Sequence, residues 1–203
     1  MNRILGVLIS GRGSNLQAII DTIDAGTLDA RIALVVSNRA GAPGLERART
    51  AGIETLVLDH RAFPSREAFD LAVVRELQLR GVGLICLAGF MRLLSPAFIN
   101  AFPNAILNVH PALLPAFPGL DGQHQAWQHG AKISGATVHL VTPELDAGPI
   151  VLQAAVPVLD DDTPETLAAR ILVEEHRIYP EAIGIVLDGK WRLDGRRFVR
   201  LSS

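Results

Sequence analysis

The segment ILGVLISGRGSN, residues 4–15, joins an apolar run directly to a loop with two glycines, and it decides the class of fold. Residues 4–9 have the composition of a buried strand, and the residues from Leu16 onward place apolar side chains at helical spacing. A strand that turns at once into a helix is the first half of a βαβ unit. The N-terminal segment therefore predicts an α/β protein.

Strand-like runs and helical patterns continue to alternate over the next hundred residues. The strand-like runs lie at 31–36, 55–58, 84–87 and 105–109, and the helical patterns lie at 16–25, 44–51, 64–80 and 96–102. The start of the fourth helix is well marked, because Ser95 suits a helix cap and Pro96 suits the first helical position. This alternation predicts a parallel sheet built from βαβ units.

The character of the sequence changes after His110. Residues 111–122 contain three prolines and two glycines, which indicates a long ordered loop or a functional one. Beyond it we predict a helix over 123–129, strands over 134–141 and 149–158, helices over 164–177 and 181–187, and a hairpin over 191–199 around an Asp194-Gly195 turn. Because no linker or repeat interrupts the chain, we expect a single domain over residues 1–203.

Composition and charge limit the class of function. The 203 residues are 49% hydrophobic and 20% charged, the formal net charge is -2, and no basic run resembles a nucleic-acid-binding surface. The single cysteine, Cys86, lies in an apolar run, so it cannot form an internal disulfide and fits a reducing compartment. No segment approaches the roughly 20 apolar residues of a membrane helix, and residues 4–9 are too short for a signal sequence. We expect a cytoplasmic protein that acts on small molecules, without nucleic acid or membrane partners.

The loop after the first strand, Ser10–Asn15, suits an anion. Its backbone N–H groups and the positive end of the following helix dipole favour a phosphate group. A nicotinamide dinucleotide fits less well, because Leu16 replaces the third glycine of the dinucleotide motif and the second strand ends in Ser37-Asn38 instead of an acid. A nucleoside triphosphate loop is disfavoured, since no Lys-Ser/Thr pair follows. Residues 1–110 thus resemble a phosphate-binding βαβ half, although a tight turn without a ligand explains the glycines equally well.

A second polar feature ends the fifth predicted strand at Asn108 and His110. Residues i and i+2 of a strand share a face, so these side chains point the same way. Ligands of open α/β sheets bind beyond the carboxyl ends of strands, which is where the pair falls. The alternative is that Asn108 caps the following turn and His110 is a satisfied core histidine. Strand spacing alone leaves both explanations open.

Two further residues are weaker candidates for a site. His139 lies on the polar face of its predicted strand, where it either supports a site from behind or is exposed to solvent. Asp146 lies in a glycine-flanked turn, where aspartate is common. A metal centre made of His110, His139 and Asp146 has no supporting His-x-x-x-His or clustered-cysteine spacing. We therefore expect no metal.

Five motifs spread along the chain belong together. They are ISGRGSNLQAI (9–19), SREAF (65–69), LAGFMR (87–92), NVHPALLP (108–115) and LDAGPI (145–150). In combination they resemble the phosphoribosylglycinamide formyltransferases, or glycinamide ribonucleotide transformylases, of the folate-dependent formyltransferase family. The resemblance extends from residue 4 to about residue 190. It implies a Rossmann-like formyltransferase fold: a mostly parallel, twisted sheet flanked by helices on both faces, with an antiparallel C-terminal portion. Residues 111–203 would supply the catalytic loop, the later strands and the C-terminal helices.

The resemblance also implies a reaction and its residues. The family transfers the formyl group of 10-formyltetrahydrofolate, a co-substrate, to the amine of glycinamide ribonucleotide in de novo purine biosynthesis. The products are formylglycinamide ribonucleotide and tetrahydrofolate, and no metal or nicotinamide cofactor takes part. The catalytic residues would be Asn108, His110 and Asp146. The residues that would bind glycinamide ribonucleotide are Gly13, Ser14, Asn15 and Glu175. The residues that would contact the folate are Arg66, Met91, Arg92, Leu93, Leu94, Asn108 and the loop 142–146.

These roles agree with the chemistry of formyl transfer. Attack of an amine on a formyl carbon gives a tetrahedral intermediate with an oxyanion, which the Asn108 amide and a protonated His110 would stabilise. We expect Asp146 to keep His110 charged, because a neighbouring carboxylate favours imidazolium over its unperturbed pKa of about 6.5. We therefore expect Asp146 to lie within one water's reach of His110.

Two details of the loop after the fifth strand concern its conformation. Many family members have a histidine where this chain has Asp121, so the residue raises a question about the shape of the loop. The resemblance also suggests a cis peptide bond between Leu114 and Pro115, since such bonds usually occur in tight turns. The conformations of loops 111–130 and 142–148 are not predicted by the sequence.

Three rival functions remain at this point. Methionyl-tRNA formyltransferase and formyltetrahydrofolate hydrolase share the catalytic residues, but the first adds a C-terminal domain and the second adds an N-terminal one. The length of this chain disfavours both. The third rival is a non-catalytic phosphate-binding module, in which Asn108, His110 and Asp146 need not converge. We expect a monomer or a weak homodimer.

Overall fold

The computed structural model describes residues 2–201. The strands are β1 (Ile4–Ile9), β2 (Arg31–Ser37), β3 (Thr55–Val57), β4 (Leu84–Leu87), β5 (Ile106–His110), β6 (Ile133–Leu140), β7 (Ile150–Pro157), β8 (Trp191–Asp194) and β9 (Arg197–Arg200). The helices are α1 (Ser14–Asp24), α2 (Gly44–Thr50), α3 (Arg66–Leu79), α4 (Pro96–Ala101), α5 (Gly122–Gln128) and α6 (Pro164–Asp188), with a short 3-10 turn at His60–Ala62. The predicted elements are present, and their ends differ by at most two residues except in α6.

Within residues 2–201, all nine strands belong to one sheet in the order β3-β2-β1-β4-β5-β6-β7-β9-β8. Strands β1 to β5 pair in parallel, whereas β5 with β6 and β6 with β7 pair antiparallel. The β8–β9 hairpin joins the edge of the sheet through one parallel pair between β7 and β9. The predicted fold class, a mostly parallel sheet with an antiparallel C-terminal portion, is confirmed.

The order of the strands reverses between β1 and β4. The chain leaves β1 towards β2 and β3, and then crosses back to β4 on the other side of β1. Because βαβ connections are right-handed, α1 and α2 cover one face of the sheet, and α3 and α4 cover the other. A crevice forms where the connections from neighbouring strands diverge, at the carboxyl ends of β1 and β4. A hydrogen bond joins the segments that follow β1 and β4, since the N–H of Ser10 donates to the carbonyl of Gly89 at 3.1 Å.

The core lies along the central strands. Apart from Ile4, every residue of β1 is buried, as are all four residues of β4. Continuous burial is expected for parallel strands that helices cover on both faces. Cys86, in β4, is fully buried, and burial raises the pKa of its thiol well above the usual range. The prediction that Cys86 is a core residue is confirmed.

The long C-terminal helix corrects one prediction. The sequence predicts two helices, over 164–177 and 181–187, but the structure has the single helix α6, which continues through Pro180. A proline inside a helix removes one N–H donor and crowds the carbonyl one turn earlier, which costs about 3 kcal/mol. The buried side chains around this proline are Ile178, Tyr179, Ala182 and Ile183. Their packing offsets the cost, so tertiary contacts override the local signal.

Tyr179 fastens α6 to the sheet close to the end of β5. Its fully buried hydroxyl is shared between the carbonyls of Leu87, at 3.0 Å, and Leu107, at 3.1 Å. Leu107 immediately precedes Asn108 in β5. The helix is therefore fixed in position where it passes the carboxyl ends of the central strands.

The C-terminal residues form the expected hairpin. Strands β8 and β9 are joined by Gly195 and Arg196, and Gly195 has a φ of 58°. A positive φ at the first turn residue is the reason that glycine suits this position. Among the residues described, no helix combines the length and the apolar character needed to cross a bilayer.

Candidate active site

The carboxyl end of β5 presents Asn108 and His110 on one face. The register with β6 places His139 opposite Asn108 and Thr137 opposite His110. His110 is 4% exposed and His139 is 2% exposed. Strand β6 thus adds a buried histidine, His139, to the predicted pair.

Asp146 reaches this pair from the loop between β6 and β7. Its Oδ2 atom lies 3.5 Å from Nδ1 of His110, and its Oδ1 atom lies 3.6 Å from Nε2 of His139. The same Oδ2 accepts a hydrogen bond from the backbone N–H of Gly119 at 2.8 Å. The predicted convergence of Asp146 with His110 is confirmed.

Two backbone features shape the loop that carries Asp146. A side chain at position 148 would overlap the carbonyl of Leu140, so only Gly148 allows the loop to pass this close to β6. Asp146 itself has a φ of 48°, in the left-handed region that aspartate tolerates better than most residues. The loop is therefore bent to direct the carboxylate inward.

The hydrogen bonds of the His110 ring determine which atom titrates. Nε2 lies 2.8 Å from the carbonyl of Phe117, which can only accept, so Nε2 carries a proton. Nδ1, which faces Asp146, is then bare in the neutral ring and protonated in the charged ring. Gain or loss of charge at His110 therefore occurs beside the Asp146 carboxylate.

Burial corrects the expected charge of His110. Desolvation lowers the pKa of this imidazole below its usual value, although the Phe117 carbonyl and the Asp146 carboxylate act in the opposite direction. The carboxylate alone does not keep the ring charged. Burial also opposes ionisation of Asp146. The contact with His139, the hydrogen bond from the Gly119 N–H and the electrostatic influence of His110 outweigh this effect, so the pKa of the carboxyl group is lowered. The pair therefore favours a neutral His110 beside an ionised Asp146.

His139 lies directly behind Asn108. Its Nδ1 donates to the carbonyl of Leu140 at 3.0 Å, and its Nε2 lies 3.2 Å from the amide nitrogen of Asn108. This contact fixes which way the amide faces. The sequence left open an exposed His139, and the structure excludes this. Although His110, His139 and Asp146 converge, no group of three or more His, Cys, Asp or Glu side chains within residues 2–201 is arranged to hold a metal ion.

The loop after β5 is held by hydrogen bonds to β6 and β7. The hydroxyl of Thr137 donates to the carbonyl of Ala112 at 2.6 Å and accepts from the N–H of Leu114 at 3.0 Å. The amide of Gln153 donates to the carbonyl of Leu114 at 2.9 Å. The peptide bond between Leu114 and Pro115 is cis, as predicted.

The question raised by Asp121 has a structural answer. Asp121 has a φ of 55° and precedes α5 without capping it through its side chain. Phe117 has the same φ of 55°, which is uncommon for a bulky residue. Gly119, with a φ of 87°, is the third residue with positive φ in these five positions, and together the three give the turn that brings the Phe117 carbonyl to His110.

The glycine loop fits closely between β1 and α2. Gly13 precedes α1 with a φ of 71° and offers no side-chain cap to the first turn of the helix. A β-carbon on Gly13 would lie 2.6 Å from the α-carbon of Gly44, so no larger residue fits. Ser14 begins α1 at the same place. The first-turn N–H groups are thus free of side-chain capping by Gly13, as an anion site requires.

The loop meets α6 through Asn15 and Glu175. The Asn15 amide donates to a carboxylate oxygen of Glu175 at 2.7 Å, whereas its own carbonyl oxygen is buried without a hydrogen-bond partner. Burial raises the pKa of Glu175, while the Asn15 hydrogen bond and the charge of Arg12 act in the opposite direction. Gly13, Ser14, Asn15 and Glu175 are therefore brought together, and one buried acceptor among them has no partner within the protein.

The segment after β4 forms an apolar rim. Met91 and Leu93 expose 62% and 56% of their surface, while Leu94 packs partly against the core. The Arg92 guanidinium lies 5.3 Å from the centre of the Phe69 ring in α3, the helix that begins with the exposed Arg66. Among the described residues, no hydrogen bond joins Arg66 to segment 91–94. Segment 91–94 and Arg66 thus lie on neighbouring elements, joined through the contact of Arg92 with Phe69.

The formyl transferase family model matches residues 3–183. The chain belongs to the formyl transferase family. This formyltransferase is 47% identical over 198 residues to the phosphoribosylglycinamide formyltransferase of Escherichia coli (strain K12), a match that covers 94% of this chain and 93% of that protein. The crystal structure of glycinamide ribonucleotide transformylase 1 from Symbiobacterium toebii superposes with a TM-score of 0.97 at 57% identity, covering 99% of this chain and 95% of that one.

Some relatives of this formyltransferase are much longer. The trifunctional purine biosynthetic protein adenosine-3 of Drosophila pseudoobscura pseudoobscura is 50% identical over 190 residues. That match covers 93% of this chain but only 14% of the longer protein. The chain therefore spans about one seventh of that relative and nearly all of the Escherichia coli one.

Three groups in the site of this formyltransferase are not predicted from the sequence. The Phe117 carbonyl and the Gly119 N–H are backbone groups, which no residue type identifies. Gly122 is the third, because a β-carbon there would lie 3.0 Å from Nε2 of His110. The Pro118-Gly119 pair and the glycine at the start of α5 are the only signals of a constrained turn in the sequence.

Proposed function

We propose that this chain transfers the formyl group of 10-formyltetrahydrofolate to the amine of 5-phosphoribosylglycinamide. The products are formylglycinamide ribonucleotide and tetrahydrofolate, in de novo purine biosynthesis. The observation that carries the proposal is the convergence of Asn108, His110 and Asp146 at the carboxyl end of β5. It occurs in a chain that matches a phosphoribosylglycinamide formyltransferase over nearly its whole length.

The proposed catalytic residues have distinct parts in the reaction. The amine nitrogen attacks the formyl carbon, and the carbonyl oxygen becomes an oxyanion. The Asn108 amide has one N–H in contact with His139 and a second N–H free to donate to this oxygen, and such donors are typically worth about 10² to 10³ in rate. The attacking amine must lose a proton and the leaving folate nitrogen must gain one. Nδ1 of His110, beside Asp146, is the atom that can hold this proton.

The glycine loop and α6 would bind the ribonucleotide. Gly13, Ser14 and Asn15 place first-turn N–H groups where a phosphate is favoured. The buried carbonyl oxygen of Asn15 and the Glu175 carboxylate suit ribose hydroxyl donors. The loop follows β1 and His110 ends β5, with only β4 between these two strands, which supports binding of the glycinamide arm near His110.

The folate would lie along the apolar rim. We assign its contacts to Arg66, to Met91, Arg92, Leu93 and Leu94, to Asn108, and to loop 142–146. Exposed apolar side chains beside a polar site suit a flat aromatic ring. No metal or nicotinamide cofactor is required by this chemistry.

We further propose that residues 1–203 act as one domain, since every described strand belongs to a single sheet. We expect a monomer or a weak homodimer that acts on small molecules in the cytoplasm, without nucleic acid or membrane partners. The fully buried Cys86 thiol is compatible with a reducing compartment.

The decisive experiment is an assay of formyl transfer from 10-formyltetrahydrofolate to 5-phosphoribosylglycinamide. Water and formylatable tRNA serve as alternative acceptors in parallel reactions. We expect turnover with the ribonucleotide only. Release of formate in its absence at a comparable rate would identify a hydrolase, and formylation of tRNA would identify a tRNA enzyme.

A further inference from the structure

The side chain of Trp127 connects α5 to the start of α6. Its indole N–H donates to the backbone carbonyl of Asp162 at 2.7 Å. Asp162 immediately precedes Thr163, the residue that caps α6. This hydrogen bond therefore joins α5, which follows the loop after β5, to the start of α6.

The receiving end of this hydrogen bond is rigid. The Asp162 carboxylate accepts two hydrogen bonds from Arg170, at 2.7 and 2.8 Å, and one from the hydroxyl of Thr166 at 2.8 Å. It also accepts from the backbone N–H of Leu159 at 2.7 Å, and the side chain is only 2% exposed. Four hydrogen bonds thus hold Asp162, so its carbonyl is a fixed point for Trp127.

Helix α5 in turn holds the turn that contacts the catalytic residues. The Gln125 amide donates to the carbonyls of Pro118, at 3.1 Å, and Leu120, at 2.8 Å. Between these positions the N–H of Gly119 donates to Asp146, and just before them the carbonyl of Phe117 accepts from His110. The orientation of α5 therefore sets the hydrogen bonds of both catalytic side chains.

Apolar packing alone holds α5 weakly. The helix has seven residues, of which only Gly122 and Ala126 are buried. A helix this short is marginal without tertiary contacts. The hydrogen bond of Trp127 therefore adds a fixed point to the packing of α5 against α6.

We propose that Trp127 is a positioning residue for formyl transfer: its hydrogen bond to Asp162 fixes α5, and α5 holds the Phe117 carbonyl and the Gly119 N–H against His110 and Asp146. The inference rests on the proposed function. Trp127 acts through the turn and does not touch the reacting atoms.

The chain offers a matched control at Trp191. Its indole N–H also donates to a backbone carbonyl, that of Val186 at 3.0 Å, but in the C-terminal hairpin region. Trp127→Phe and Trp191→Phe each remove one such bond and retain an aromatic ring. Since a hydrogen bond typically contributes a factor of about 2 to 10, we expect Trp127→Phe to lower kcat by that factor with an unchanged KM for 5-phosphoribosylglycinamide. Trp191→Phe should leave both constants unchanged.

An activity-independent readout separates this inference from the proposed function. Hydrogen exchange at the Gly119 N–H, which donates to Asp146, should accelerate about 2- to 10-fold in Trp127→Phe and not in Trp191→Phe. Gln125→Leu should accelerate the same exchange. Combined with Trp127→Phe, it should lower kcat by less than the product of the two single effects. Gln125→Leu alone tests the route even if Trp127→Phe unfolds at a lower temperature, because it removes different hydrogen bonds to the same turn.

Each result has a defined meaning. Unchanged Gly119 exchange in Trp127→Phe overturns the inference, and so does faster exchange with unchanged kcat. A fall in kcat that is equalled in Trp191→Phe also overturns it, because the effect is then general. If the wild-type chain lacks formyl transfer activity but Gly119 exchange is faster in Trp127→Phe than in wild type, the proposed function is refuted and the structural connection is supported.

Discussion

Gly122→Ala tests whether the turn next to His110 is packed as closely as the structure indicates. The added β-carbon would lie 3.0 Å from three atoms: Nε2 of His110, the carbonyl oxygen of Phe117 and the β-carbon of Ala112. Gly122 does not have a positive φ, so any cost comes from crowding and not from backbone strain. Because two of the three atoms are the ends of the 2.8 Å hydrogen bond between His110 and Phe117, the methyl group would press directly on that bond.

The expected magnitude follows from the distances. Non-bonded carbon contacts are favourable at about 3.5 to 4.0 Å, so the neighbours must give way by roughly 0.5 Å. Overpacking of a close-packed site costs about 1 to 3 kcal/mol. If His110 and Phe117 absorb the displacement, the same range corresponds to a loss of about 5- to 150-fold in kcat. We expect this loss with a smaller change in the binding of 5-phosphoribosylglycinamide, whose proposed site lies at the glycine loop.

The assay is steady-state formyl transfer with both substrates saturating, together with thermal unfolding. Gly184→Ala is the matched control, because its added β-carbon would meet only the Cδ1 atom of Leu28, at an ordinary 3.7 Å. Alanine at this position inside α6 should stabilise the protein by about 0.5 to 1 kcal/mol and raise Tm by about 1 to 4 °C without changing kcat. Wild-type kcat in Gly122→Ala would refute the reasoning, because the turn would then have room for a methyl group beside His110.

The remaining predictions concern charge. His110→Ala and Asp146→Asn should each lower kcat by about 10² to 10⁴, with little change in the Kd of 5-phosphoribosylglycinamide measured by calorimetry; equal losses in both would make them substrate-holding residues. Glu175→Gln should raise Tm at pH 8 and weaken binding of the same substrate. Burial raises the pKa of Glu175 in the folded state, so ionisation of this carboxyl group lowers the stability of the wild type as pH rises above about 4.5. The gain in stability of Glu175→Gln over wild type should therefore be larger at pH 8 than at pH 5. Equal gains at the two pH values would contradict this. For His110, the folded pKa lies below the unfolded value of about 6.5, so the unfolded state binds more protons in acid and stability should fall as pH drops below that value. Urea unfolding at pH 7.5 and 5.5 should therefore show a smaller pH effect in His110→Ala than in wild type, and identical pH effects would count against burial as the cause.

The strands could be predicted well because each leaves a local pattern. Residues 84–87 are apolar and bounded by glycine and loop residues, and the predicted and observed bounds of β4 agree. The period of a strand also places Asn108 and His110 on one face without any knowledge of pairing. Helix α6 shows the limit of such signals, because Pro180 ends the local pattern while distant burial continues the helix.

The site was only partly accessible because its contacts join distant segments. Asp146 lies 36 residues after His110, and only the family resemblance connected them, whereas the structure gives the 3.5 Å contact. His139 required the antiparallel register of β5 with β6, which no local pattern contains. The Pro118-Gly119 pair indicates a turn, but no residue type shows that the backbone groups of Phe117 and Gly119 contact the site. Contacts between side chain and backbone across a turn therefore need the fold itself.

The lowered pKa of His110 gives an order to the proton transfers of the proposed reaction. A neutral ring at near-neutral pH presents a bare Nδ1, and this atom lies beside an Asp146 carboxylate that favours its protonation. The attacking amine becomes acidic only as its bond to the formyl carbon forms, so His110 accepts a proton at that stage, directly or through a water. The resulting imidazolium is stabilised by Asp146 and can then donate the proton to the leaving folate nitrogen. A ring already charged in the free protein could not accept the first proton, so the burial that overrides Asp146 in the resting site is what suits His110 to both steps.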